Sequence, residues 1–324
     1  MKSIVLHAPG GPENFIIEER VLPTPPIGWV LIQIKAFGLN RSELMTRKGL
    51  SPSVKFPRVL GIECVGIVAA DPSGEFRVGQ QVAAFMGGMG RDFDGGYSEF
   101  AVLPKTILMP FVSQLSWSVL GSLPEMFQTV YGCLHLALKI NVNETLLIRG
   151  GSSSIGMLAS ELARHYGVTV IATTRSEGKI TKLLENGATH VVIDNGNISH
   201  QLRSLFPDGV NKALELIGVE TLPDTLQSVA QGGIVCMAGM LSEKWAFDNF
   251  APMEVIPPTV CLTSYDSGQV RVPADFFQMF IDDIENNKIK ITEPYIFSFE
   301  NIKEAHALMD SNTATGKILV LTEN

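Results

Sequence analysis

The chain has 324 residues, 45% of them hydrophobic and 18% charged, with a formal net charge of −8. This length predicts two domains of ordinary size and this composition a large core, which excludes a disordered chain, while the acidic balance argues against a nucleic-acid or anionic-membrane surface. No apolar run reaches the roughly 18 residues of a membrane span, and the opening MKSIVLHAPGGPENF lacks a signal-peptide layout, so the expectation is a cytoplasmic protein.

The first part of the chain holds short β-like runs broken by Gly and Pro: Ser3–His7, Phe15–Glu19, Trp29–Ala36, Gly61–Ala69, Gln81–Phe85 and Ser98–Val102. Pro23, Pro25 and Pro26 mark one loop, and Gly87, Gly88, Gly90, Gly95 and Gly96 another. This half reads as a separate, mostly β domain. From Ser116 onward strands and helices alternate. A strand (Thr145–Ile148) meets a glycine–serine turn (Gly150–Gly156), a helix and a second strand (Val168–Thr173). Then come a helix (Glu177–Glu185) stopped by Asn186-Gly187, a strand (His190–Ile193) and a helix near Ile198–Phe206. A strand (Ala213–Leu216), a helix (Leu222–Gln231) and a strand (Gly233–Ala238) complete the series. The alternation predicts a doubly wound, mostly parallel sheet. The tail, with helices at Asp275–Asn287 and Asn301–Asp310 and a strand at Gly316–Leu321, is expected to rejoin the β domain. The expected fold class is α/β, with residues 1–118 and 263–324 in one domain and 119–262 in the other.

The stretch Glu144–Lys179 carries the chemistry. Strand, turn, helix, strand is the unit that binds a dinucleotide pyrophosphate. The first N–H groups of the helix lack intrahelical partners and carry the positive end of its dipole, so a diphosphate there gains hydrogen bonds and field together. Aligned on G-x-G-x-x-G, the turn reads Gly151-Ser152-Ser153-Ser154-Ile155-Gly156. Ser153 puts a Cβ where the second glycine lets backbone approach phosphate. The hydroxyls of Ser152, Ser153 and Ser154 suit phosphate, and one of them equally suits a helix N-cap. The second strand ends Ala172-Thr173-Thr174-Arg175-Ser176, with Thr174 where an NAD site places an acid. Arg175, Ser176 and Lys179 suit a dianionic 2′-phosphate, or else are a capping serine and two solvated cations. The reading is NADP(H).

Several segments carry a family resemblance: AFGLNRSEL (Ala36–Leu44), PRVLGIECVGIV (Pro57–Val68), FRVGQQVAAF (Phe76–Phe85), GGYSEFAVLP (Gly95–Pro104) and TGKILVL (Thr315–Leu321). With the order of domains, they resemble the medium-chain dehydrogenase/reductase superfamily, and within it the zinc-free quinone oxidoreductase branch. The resemblance implies a GroES-like, mostly β catalytic domain and a Rossmann domain. In the zinc alcohol dehydrogenases the catalytic metal takes a Cys, a His and a Cys, at positions that fall here on Asn40, Ile62 and Glu125. Asn40 is a poor ligand, Ile62 is none, and neighbouring Glu63 does not rebuild the set. Cys64, Cys133, Cys236 and Cys261 are scattered in apolar sequence with no C-x-x-C pair, and no cysteine lies between Ala83 and Val102, where the family's structural-zinc lobe would fall. No metal and no disulfide are expected.

The resemblance also implies further cofactor contacts. Thr129 and Tyr131 sit where the family approaches nicotinamide. Leu216–Gly218, with Ile217 at its centre, and Ala238, Gly239 and Met240 close the fourth and fifth strands at the crevice. Thr263 and Ser264 begin the return segment, and Lys317 reaches from the last strand; each has a bland structural alternative. The implied activity is NADPH-dependent hydride transfer to a quinone or an α,β-unsaturated carbonyl, acceptors that need no metal to polarise them. Asn40 is a candidate hydrogen-bond donor to the acceptor oxygen, or a bridge between backbone segments. Ser42 is a candidate proton relay. Glu125 is either a buried carboxyl with a raised pKa or the partner of a cation such as Arg41. Met45 and Ser51 stand nearest the tyrosine that some members present. Met45, Phe56, Met86, Met89, Phe93, Met240, Trp245, Phe247 and Phe250 are candidates for an apolar acceptor pocket or for plain packing. The six histidines show no ligand-like clustering. Two other readings stay open: a 2-enoyl thioester or enone reductase, and an NADPH-binding protein with little turnover. The family implies a homodimer joined at sheet edges, here near Trp245–Phe250.

Overall fold

The computed structural model describes residues 1–323. The chain divides into two compact units: unit 1 is Met1–Glu125, Pro273–Asn286 and Glu293–Asn324, and unit 2 is Met126–Val272 with Asn287–Thr292. In chain order the strands are β1 (Lys2–Leu6), β2 (Phe15–Glu19), β3 (Trp29–Leu39), β4 (Arg58–Val59), β5 (Glu63–Ala70), β6 (Gln81–Phe85), β7 (Phe100–Pro104) and β8 (Leu108–Pro110). They continue with β9 (Thr145–Arg149), β10 (Thr169–Thr174), β11 (His190–Ile193), β12 (Val210–Glu215), β13 (Val229–Met237), β14 (Cys261–Ser264), β15 (Tyr295–Ser298) and β16 (Ile318–Leu321).

Unit 1 is built on two sheets, a three-stranded one in the order β2-β1-β4 and a larger one in the order β15-β16-β3-β5-β6-β8, with β7 also on β3. The long β3 is the spine: β16 pairs with it antiparallel from Ile318 opposite Leu39 to Leu321 opposite Ala36, so the C-terminal strand closes on the N-terminal sheet. Phe37 on that strand stacks on Tyr97, centroids 4.7 Å apart, and Phe15 lies 4.6 Å from the ring of His306. The helix Ile302–Ser311 buries Ile302, Ala305, His306 and Met309, one face at helical spacing. The helix Ala274–Glu285 does likewise with Phe277, Phe280, Ile281 and Ile284. Phe277 meets Phe85 and Phe111 edge-on, and each such buried ring contributes about 1.5–3 kcal/mol.

Unit 2 is a six-stranded parallel sheet in the order β11-β10-β9-β12-β13-β14. Its strands read as apolar runs because both faces are covered. One side packs Leu147, Ile171, Val192, Ile198, Leu202, Val210, Leu222, Leu226 and Val235 into a single core. The segment Asn287–Thr292 docks onto this unit, with the Lys290 N–H on Glu161 and the Thr292 hydroxyl on Asn186. The helix Leu222–Gln227 stops short of the expected Gln231, because Val229 is drawn into β13 by pairing with Val210. The sheet edge also corrects the sequence reading. Trp245–Phe250 forms no strand, and Trp245 is 65% exposed. The edge strand is Cys261–Ser264, whose register against Ile234–Met237 continues the parallel ladder. Thr263 and Ser264 therefore belong to the dinucleotide-type sheet, and the chain re-enters unit 1 at Pro273. No helix among the described residues is long and apolar enough to cross a membrane.

Candidate functional site

In unit 2 the turn after β9 is shaped by backbone chemistry. Gly150 has φ +90°, a conformation that favours glycine. Its N–H donates to the Thr173 hydroxyl at 3.1 Å, and the Gly151 N–H donates to the Thr173 carbonyl at 3.0 Å. The helix Ser154–His165 starts at Ser153, whose Oγ accepts the Gly156 N–H at 3.1 Å and donates to the Gly150 carbonyl at 2.8 Å. Ser153 is thus the cap, and its hydroxyl is engaged inside the turn. Ser152, Ser154 and Ile155 stay partly exposed at the helix start. A Cβ on Gly156 would meet the Gly150 oxygen at 2.5 Å and the Gly151 Cα at 2.7 Å, so only glycine lets the helix close onto the turn.

At the end of β10, Thr174 is buried and its hydroxyl accepts the Ser176 N–H at 3.2 Å. Arg175 and Ser176 are exposed and Lys179 half-buried, and neither cation makes an ion pair among the described residues. Behind these positions lies a charged network not foreseen from the sequence. Arg149, the last residue of β9, is fully buried and faces Glu215 across the ladder. Its guanidinium forks onto Asp194 at 2.8 and 2.9 Å and reaches Asp224 at 2.8 Å. Burial works to raise the Asp194 carboxyl, but the Arg149 hydrogen bonds and charge hold it below its ordinary value. Burial pushes Glu215 up, against hydrogen bonds from Thr225 and the Gly218 N–H. The available signal was a charged residue ending two strands, Arg149 and Glu215, and another, Asp194, directly after a third.

Glu215 also organises the neighbouring loops. Its carboxylate accepts the N–H groups of Ile217 at 2.7 Å and Gly218 at 3.0 Å, and its carbonyl accepts those of Ala238 at 3.0 Å and Gly239 at 3.3 Å. Ile217, Ala238 and Gly239, with Met240 next in the chain, thereby lie at the C-terminal ends of the parallel strands, as the Gly150–Gly156 turn does. Thr263 sits opposite Cys236 in β14. Thr129 is buried on the helix Pro124–Tyr131, and Tyr131 packs against Phe127 and His135.

Unit 1 holds a polar cluster that brings together Asn40, Ile62 and Glu125, the three positions considered above for a metal, with Glu43, Glu63 and Lys317. Asn40 caps the helix Arg41–Arg47 in a capping box with Glu43. Glu43 accepts the Ile62 N–H at 2.9 Å and the Asn40 N–H at 3.2 Å, and burial pushes its carboxyl up to about 7. Glu63, fully buried, accepts the Asn40 Nδ2–H at 2.9 Å and the Glu125 N–H at 2.8 Å, and pairs with Lys317 at 2.5 Å. The Lys317 ammonium also donates to Asn40 Oδ1 at 2.5 Å. Burial disfavours that charge, but Glu63 and Glu125 raise its pKa on balance. Lys317, expected at the cofactor, is therefore committed inside unit 1. Glu43, which the sequence reading passed over, is a carboxyl of this cluster with a raised pKa. The Ser42 hydroxyl accepts from the exposed Arg91 at 2.6 Å, which places it on the surface rather than in the cluster. Arg41 reaches Asn312. No group of three or more His, Cys, Asp or Glu side chains able to hold a metal occurs among the described residues. Of the candidate pocket residues, Met45 and Met89 are core, Phe93 packs edge-on to Trp29, and Phe247 stacks on Phe250.

Two family models match the chain: "Alcohol dehydrogenase GroES-like domain" over residues 26–113 and "Zinc-binding dehydrogenase" over residues 154–283. The quinone oxidoreductase of Mus musculus is 26% identical, covering 99% of this chain and 98% of that protein. The chain belongs to the medium-chain dehydrogenase/reductase superfamily. Within the superfamily it groups with the quinone oxidoreductase branch. The acryloyl-coenzyme A reductase of Sulfurisphaera tokodaii is 24% identical, covering 99% of both chains. The Escherichia coli quinone oxidoreductase solved with NADPH superposes with a TM-score of 0.89 at 20% identity, covering 99% of this chain and 100% of that one. The superfamily fold accounts for both units, the GroES-like β unit and the Rossmann-type parallel sheet.

Proposed function

We propose that the protein is an NADPH-dependent oxidoreductase that reduces quinones or activated alkenes without a metal. The carrying observation is the end of β10: the acid of an NAD site is absent at Thr174, and two cations, Arg175 and Lys179, stand there with no carboxylate partner among the described residues. The turn fits a diphosphate, since the helix Ser154–His165 starts there with Ser153 as its cap and with Ser152 and Ser154 partly exposed. Arg175, Ser176 and Lys179 bind the 2′-phosphate, and Ile217, Ala238, Gly239 and Met240 border the cofactor. When bound, the nicotinamide supplies the hydride. Asn40 donates from Nδ2 to the acceptor oxygen, taking the position a metal ligand holds in the zinc enzymes.

The similarity to quinone oxidoreductases and to an NADPH-bound structure supports this reading. The similarity to an acryloyl-coenzyme A reductase favours activated alkenes as the second acceptor class. We further propose a cytoplasmic homodimer joined through the edge strand Cys261–Ser264. Steady-state NADPH oxidation with a panel of quinones and enones tests the function. Turnover with NADPH well above that with NADH supports it, and tight NADPH binding with no turnover overturns it. Stoichiometric zinc in the purified protein would refute the metal-free reading.

A further inference from the structure

The Asn40 amide is held at both ends by groups of opposite kind. An ammonium is a donor only and an ionised carboxylate an acceptor only. The atom 2.5 Å from Lys317 Nζ must therefore be Oδ1, and the atom 2.9 Å from Glu63 Oε1 must be Nδ2. Amide orientation, often an arbitrary assignment, is here dictated by chemistry. Glu63 cannot turn to release it, because its other oxygen accepts the Glu125 N–H at 2.8 Å. Lys317 and Glu63 are 2% and 0% exposed at their side chains, whereas Asn40 is partly exposed. One Nδ2–H is committed to Glu63, and the second, on the partly exposed Asn40, has no partner among the described residues.

We propose that Lys317 and Glu63 are positioning residues that lock the Asn40 amide so that its second Nδ2–H meets a hydrogen-bond-accepting oxygen of the substrate. This rests on the function proposed above and narrows its substrate class: the group bound is a carbonyl or quinone oxygen, which accepts. In the opposite orientation Asn40 would present Oδ1 and select a hydroxyl donor. The ammonium on Oδ1 also polarises the amide and strengthens its N–H as a donor.

Two measurements decide it. In protein labelled with 15N-asparagine, the Asn40 amide signal is assigned by its loss in Asn40→Asp. One Nδ2 proton is expected to be protected from exchange and the other to exchange rapidly, a difference kept in Lys317→Arg and lost in Lys317→Met. Equal protection of both protons, or an unchanged pattern in Lys317→Met, overturns the proposal. In turnover with an enone, Asn40→Ala and Lys317→Met should each lower kcat by about 10²-fold, the usual cost of one transition-state donor, with KM for NADPH unchanged. The double variant should be no slower than Asn40→Ala; multiplied effects overturn the proposal. Should Lys317→Met not fold, the pair Glu63→Gln/Lys317→Gln replaces it, since it leaves no unpaired charge inside. A wild-type protein inert towards every acceptor would sink the proposed function alone, because the exchange pattern still decides the positioning role.

Discussion

Replacing Glu43 by Gln tests the electrostatics of unit 1. Glu43 is buried, its oxygens accept the Ile62 and Asn40 N–H groups, and it faces the Glu63 and Lys317 charges and the Tyr97 ring. Burial raises its pKa from the ordinary 4.5 to about 7. Between those values the folded chain keeps a proton that the unfolded chain has lost. Stability must then fall as pH rises across this window and level off above pH 7. At about 1.36 kcal/mol per pH unit, a difference of about 2.5 units amounts to roughly 3 kcal/mol. The opposite trend comes from His306, whose imidazole burial and Arg47 hold down to about 3, so its contribution is lost as pH falls below 6.5. The informative quantity is accordingly the wild-type curve minus the Glu43→Gln curve. Denaturant unfolding from pH 5 to 8 should show Glu43→Gln gaining about 2.5 kcal/mol relative to wild type, most of it before pH 7.5. A difference that stays flat with pH would refute the assignment of a buried, proton-holding carboxyl.

Arg175→Ala and Lys179→Ala should each raise KM for NADPH about tenfold, on the scale of one exposed charge-assisted hydrogen bond, and leave KM for NADH unchanged; equal changes for both cofactors would count against 2′-phosphate binding. Arg149→Met strips the cation from Asp194 and Asp224 and should destabilise the protein by about 3–5 kcal/mol in denaturant unfolding; a loss below about 1 kcal/mol would show the network to be dispensable. Gly156→Ala forces a Cβ to within 2.5 Å of the Gly150 oxygen and should cost about 1–3 kcal/mol while weakening NADPH binding, read by calorimetric titration. Unchanged affinity would separate the turn from the cofactor.

The inner strands of unit 2 were legible because their apolar runs are covered on both faces, and the helix Ile180–Glu185 because it has a local stop at Asn186-Gly187. The edge strand was misplaced at Trp245–Phe250, since nothing local distinguishes a short aromatic stretch from the four residues Cys261–Ser264. Only the ladder against Ile234–Met237 makes that choice. Ser153 shows the same limit at the site: the residue types left open which of the three serines caps the helix, and the 3.1 Å contact to the Gly156 N–H identifies Ser153.

By itself the sequence determined the two-part α/β architecture, the dinucleotide turn and the absence of an acid at Thr174, because each is written in residue types at short spacing. Tertiary structure decided how the charges are spent. Lys317 lies far along the chain from Asn40 and Glu63, and Arg149 from Asp194 and Asp224, yet each set closes at hydrogen-bond distance. Which carboxyl keeps its proton and which amide is locked follow from burial and from partners that local sequence cannot name, since a pKa and an amide orientation are set by what lies within a few ångströms in space.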